Sequence, residues 1–154
     1  ELCDNHDCKD MKLFDDKELL KIWRNNFKGI GWKDIEGNVL FGAIDDLLIN
    51  GKKLITMDYK TRGFPLKEDT AEFYQDQLDI YNFLFRKNGY ETEDYAFLIF
   101  YYPKEVLETG EVIFDAELKK MKIDVKNAET IFNNAIKLLN SDCPSKSCEW
   151  CEGR

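Results

Sequence analysis

The chain has 154 residues, 44% of them apolar, and a formal net charge of −8. That length supports one domain with its own core, read as residues 1–154 with cysteine-bearing termini at 1–10 and 141–154, and leaves no room for two. The negative balance argues against a protein that coats nucleic acid with a uniformly basic surface; no apolar run is long enough to cross a bilayer, no secretory signal pattern is present, and the expected location is cytoplasmic.

The opening residues E-L-C-D-N-H-D-C-K-D are polar and read as irregular, with Cys3, His6 and Cys8 closely spaced. His6 is the single histidine and no G-x-S-x-G elbow occurs, so Ser-His-Asp hydrolysis is set aside. From Asp15 or Asp16 a helix is expected to run to about Phe27. An aspartate caps it, Leu19, Leu20, Trp23 and Phe27 sit at helical spacing, and Gly29 and Gly31 mark its end. Glu18 in its first turn meets the helix dipole favourably. Lys17, Lys21, Arg24, Lys28 and Lys33, with Lys60 and Arg62 further on, outline either a basic strip or an ordinary solvated face.

Two apolar runs, Val39 to Ile49 and Leu54 to Thr61, flank Asn50-Gly51, the pair best suited to a type I′ hairpin turn. With Asn50 and Gly51 as the loop, Ile49 pairs with Lys52, Asp45 lies opposite Thr56, and Ala43 lies opposite Asp58. Phe41, Ala43, Asp45, Leu47 and Ile49 then share a face with Leu54, Thr56, Asp58 and Lys60. Asp45 and Asp58 become diagonal neighbours, roughly 7–8 Å apart, with Asp46 on the other side. Two carboxylates on a largely apolar face are costly without compensation, which points to a hard metal ion and hydrolytic chemistry.

Gly63-Phe64-Pro65 breaks the chain, and Asp69 or Thr70 caps an expected helix to about Lys87, stopped by Asn88-Gly89. Tyr74, Gln77 and Tyr81 follow at i, i+3 and i+7 and face one way. Tyr95 to Tyr102, apolar on both faces, reads as a buried central strand ended by Pro103. Glu111 to Val125 suggests an outer strand, and Lys126 to about Leu139 a final amphipathic helix. The order of elements fits an α/β sandwich, a central mixed β-sheet flanked by helices.

Gly42-x-x-Asp45, then Asp58-x-Lys60 after a short hairpin, then Gln77-x-x-x-Tyr81 on the next helix, resemble the PD-(D/E)XK nuclease superfamily, in particular its RecB-like branch. The resemblance spans about Val39 to Cys151. It implies a restriction-endonuclease-like fold and a Mg²⁺- or Mn²⁺-dependent nuclease, of the exonuclease kind, acting on nucleic acid, in the first place DNA. Asp45 and Asp58 would bind the ion with the backbone carbonyl of Tyr59. Lys60 would position or activate the attacking water, and Gln77 and Tyr81 would line the site. A non-catalytic nucleic-acid-binding or assembly module on the same fold is the alternative.

The five cysteines cannot all pair within one chain, and they cluster at the two ends. Cys143, Cys148 and Cys151 have x₄ then x₂ spacing and can converge on one soft metal centre. They resemble the cysteine triplet of iron-sulfur members of the RecB-like branch, including exonucleases associated with CRISPR adaptation. That resemblance implies a [4Fe-4S] cluster, with Cys8 or Cys3 as a fourth ligand and structural zinc as the competing centre.

Overall fold

The computed structural model describes residues 11–143, 146–150 and 152–153. Its main sheet has five strands: β1 (Lys12–Leu13), β4 (Asp46–Asn50), β5 (Lys53–Thr61), β6 (Tyr95–Val106) and β7 (Val112–Lys122), in the order β1-β4-β5-β6-β7. Only β5 and β6 run parallel, Met57 beside Phe97 and Thr61 beside Tyr101; the other neighbours are antiparallel. A parallel pair needs a long crossover, and α2 (Gln75–Lys87) supplies it. A second, two-stranded sheet joins β2 (Ile30–Lys33) to β3 (Val39–Gly42). Two further helices are α1 (Lys17–Trp23) and α3 (Val125–Leu139), and no helix among the described residues is long and apolar enough to cross a membrane.

Alternation along β5 divides the core. Leu54 joins Leu47, Leu20, Trp23, Ile30, Ile44, Leu84 and Phe85 on the side of α1 and α2, whereas Ile55 and Met57 join Leu48, Phe97, Ile99 and Leu118 on the other. Leu78, Leu84 and Phe85 of α2 are fully buried, at about 1.5–3 kcal/mol each, so α2 is fixed against the sheet. Asp79, buried on the same helix, accepts hydrogen bonds from Gln75 Nε2, the Asp124 amide and Asn127 Nδ2, each at 2.8 Å. It thereby ties the capped start of α3 to α2.

Three expectations are corrected. First, Asn50 pairs with Lys53, so Gly51 and Lys52 form the hairpin loop, with Gly51 at φ +60°. Asn50 is held in the strand because its Nδ2 donates to Glu93 Oε1 at 3.2 Å, beside the Lys53–Glu93 ion pair. Second, the run from Val39 does not form one strand. Ile44 N–H turns to the Trp23 carbonyl at 3.1 Å, and Gly29 packs its backbone so closely on Gly42 that a Cβ there would lie 2.3 Å from the Gly42 carbonyl oxygen. Phe41 and Ala43 therefore leave the hairpin face, and Ala43 does not oppose Asp58. Third, β6 passes through Pro103, opposite Phe114, by way of an irregularity between Pro103 and Glu105.

The first helix also stops at Trp23 rather than Phe27. Asn25 Oδ1 accepts from the amides of Phe27 and Lys28 and replaces the helical ladder with a turn. The helix expected from Thr70 divides into a 3-10 turn, Thr70–Tyr74, followed by α2.

Candidate active site

The β4–β5 ladder ends with Asp46 facing Met57, so Asp45, the residue before β4, lies beside Asp58 at the end of the ladder. Moving the loop by one position shifts the sum of paired residue numbers by two, so each side chain keeps its face. Asp45 lies just before β4, and its Oδ2 accepts the Tyr59 amide proton at 2.8 Å. The N–H and C=O of one strand residue leave on the same side, so the Tyr59 carbonyl also faces Asp45.

Asp58 is 1% exposed. Its Oδ1 accepts from Gln77 Nε2 at 2.9 Å, while its Oδ2 makes no hydrogen bond of ordinary angle and has the Lys60 ammonium 2.5 Å away as an ion-pair partner. Lys60 Nζ also donates to Gln77 Oε1 at 3.2 Å and sits 4.8 Å over the Tyr74 ring. Gln77 Nε2 reaches the Tyr81 hydroxyl at 2.7 Å, and the Tyr81 ring packs on Gly42, where a Cβ would come within 3.1 Å of Tyr81 Cε1. The structure thus brings Asp45, Asp58, Tyr59, Lys60, Gln77 and Tyr81 together.

Burial pushes the Asp58 carboxyl above the ordinary carboxylate value; Lys60 opposes that shift and the neighbouring Asp45 adds to it. Burial likewise raises the Tyr81 phenol, against its hydrogen bond with Gln77. A buried carboxylate beside a second carboxylate is a suitable donor set for a hard cation. Among the described residues no three His, Cys, Asp or Glu side chains converge, so carbonyl and water oxygens would complete the coordination.

Asp46 points away, as expected. Its Oδ2 pairs with Arg24 at 2.7 Å and accepts the Tyr59 phenol at 3.3 Å; burial, then Asp46, pushes that phenol up to about 12. Arg24 also donates through Nε to the Asp45 carbonyl. Sequence reasoning counted Arg24 only in a basic strip; its place just after α1, opposite two adjacent aspartates, was the available signal. Glu18 is exposed on the first turn of α1.

Cys143 and Cys148 are exposed. Cys3, His6, Cys8 and Cys151 lie outside the described residues.

A family model of the PD-(D/E)XK nuclease superfamily matches residues 14–154. The chain belongs to that superfamily. Its mixed five-stranded sheet with helices is accordingly the restriction-endonuclease-like α/β fold. Among solved structures, the crystal structure of SSO0001 is 17% identical with a TM-score of 0.47. That match covers 77% of this chain and 52% of the other, so this chain spans about half of its length. No curated protein matches the sequence.

Proposed function

We propose that this PD-(D/E)XK domain is a metal-dependent nuclease of the RecB-like branch that hydrolyses phosphodiester bonds of DNA and acts from an end. The observation that carries the reading is the buried Asp58 carboxylate, with Asp45 beside it and the Lys60 ammonium paired to its Oδ2. Asp45, Asp58 and the Tyr59 carbonyl would hold Mg²⁺ or Mn²⁺. Such an ion, when bound, polarises a phosphate and makes water more acidic. Lys60 is held by Asp58 and Gln77, where its ammonium can orient the attacking water or neutralise charge developing on the phosphate. Gln77 fixes both partners at once, and Tyr81 holds Gln77.

Incubating labelled single- and double-stranded DNA and RNA with the protein in Mg²⁺, Mn²⁺ or EDTA tests the reading. Metal-dependent shortening of DNA from its ends is expected. Binding without cleavage in any metal would leave a non-catalytic module instead.

We further propose a second metal centre in the tail. Cys143 and Cys148 are exposed, and a metal shared with Cys151 would offset the entropy of ordering the tail. We assign Cys143, Cys148 and Cys151, with Cys8 or Cys3, to a [4Fe-4S] cluster. Anaerobically purified protein is then brown; colourless protein with stoichiometric zinc would make the centre a structural zinc site.

A further inference from the structure

Beside the site, α1 and the edge strand β1 enclose a groove of about 530 Å³. Leu13, Phe14 and Leu20 give it an apolar lining, and Lys17, Lys21 and Arg24, at i, i+4 and i+7, set three cations along it. Lys17 and Lys21 are exposed, and among the described residues neither pairs with a carboxylate. Leu13 is 63% exposed, and Phe14 is braced against Trp23 with ring centroids 5.5 Å apart. The groove ends at Asp46, where Arg24 bridges the Asp46 carboxylate and the Asp45 carbonyl.

We propose that this groove is the track for single-stranded nucleic acid entering the site, with backbone phosphates on Lys17 and Lys21 and a base face against Leu13 and Phe14. The inference rests on the nuclease reading and extends it to the path of the substrate. Two properties select the occupant. The free cations match phosphates on a chain whose net charge of −8 otherwise repels them. The apolar lining matches the exposed base faces of a single strand, which a duplex keeps stacked inside. Arg24 links the groove end to the strand that bears the site, because its guanidinium, paired with Asp46, is also bonded to the main-chain carbonyl of Asp45.

The test compares wild type with the Lys17→Ala/Lys21→Ala double variant and with a Lys126→Ala/Lys137→Ala control on α3, which removes the same charge elsewhere. Anisotropy of a labelled single-stranded oligonucleotide is followed in EDTA over a range of salt, and KM for cleavage is measured in Mn²⁺. The groove variant is expected to bind about tenfold more weakly at low salt and to lose about 1.4 from the slope of log K against log salt. Its KM rises in proportion, while its Mn²⁺ affinity and thermal midpoint match those of wild type. The control should keep the wild-type salt slope. Unchanged affinity and slope in the groove variant, or equal losses in the control, overturn the track, and a duplex that competes as well as the single strand overturns its single-strand character. The two readings fail separately: groove-dependent binding without cleavage removes the nuclease, and cleavage with groove-independent KM removes the track.

Discussion

Gln77 Nε2 donates to Asp58 Oδ1 at 2.9 Å, so an amide on α2 caps a carboxylate on β5 that the fold has almost sealed from water. The same amide accepts from Lys60, which makes Gln77 the link between the acid and the ammonium. Gln77→Ala frees both. Cleavage is expected to fall about 10²-fold with Mn²⁺ affinity retained, whereas Lys60→Ala is expected to abolish it, as the ammonium held by Asp58 and Gln77 is lost. Steady-state kinetics beside calorimetric Mn²⁺ titration checks both; wild-type turnover in Gln77→Ala would reduce the helix contact to packing.

Asp45 and Asp46 are adjacent in sequence and differ in their contacts. Asp45 faces Asp58, while Asp46 is occupied by Arg24 and the Tyr59 phenol. Asp45→Asn should weaken Mn²⁺ binding at least about tenfold with little change in folding. Asp46→Asn should keep Mn²⁺ affinity and cost about 0.5–1 kcal/mol of stability, the usual worth of a partly exposed pair. Titration and urea unfolding of the two variants decide it, and equal losses of metal affinity would mean that both carboxylates serve the ion.

Asp58 makes stability depend on pH. Its folded-state pKa lies above the ordinary value of 3.8, so the protonated form is favoured by folding. The associated stability is fully present below about pH 3.8 and is lost as pH rises through the raised value. In EDTA, wild type should therefore lose stability relative to Asp58→Asn as pH increases over that interval. Added Mn²⁺ should remove the loss in wild type alone, because a bound cation favours the ionised carboxylate. Parallel curves for the two proteins in EDTA would show that Lys60 already compensates the buried charge in full.

Gly42 is a packing residue of the site. A methyl group there meets Tyr81 Cε1 at 3.1 Å and must displace the ring, whose hydroxyl is bonded to Gln77, by a few tenths of an ångström. Gly42→Ala should cost about 1 kcal/mol and slow cleavage. Gly31→Ala meets Phe41 Cβ at 3.5 Å and the Leu40 carbonyl oxygen at 3.7 Å, both ordinary contacts, and should be tolerated. Thermal denaturation and initial rates of the two variants test the contrast.

Much of this architecture was legible in the sequence because the apolar periods are strong. The face shared by Asp45, Asp58 and Lys60 follows from alternation along two strands, and it survives a misplaced turn because the error moves paired positions by two. The turn itself was not legible. Asn50-Gly51 is a good loop pair locally, but Glu93, 43 residues away, holds Asn50 in the ladder. The break at Ala43 depends on Gly29 meeting Gly42 and on a carbonyl at the end of α1, both long-range contacts. Arg24 escaped notice as a site neighbour for the same reason: its partners lie 21 and 22 residues on, across the end of α1.

The edge position of β7 bears on how copies of this protein meet. Among the described residues β7 has a strand on one side only, and Val112, Ile113 and Phe114 at its start are 44%, 42% and 51% exposed. An open ladder edge with apolar side chains invites strand addition and aggregation. Glu111 and Asp115 bracket the stretch, and Lys119, Lys120 and Lys122 charge the far end. An antiparallel approach of two copies would set the acidic start of β7 against the lysine-bearing end of the other copy, whereas a parallel approach would bring like charges together, so the charge pattern opposes one direction of strand addition and admits the other.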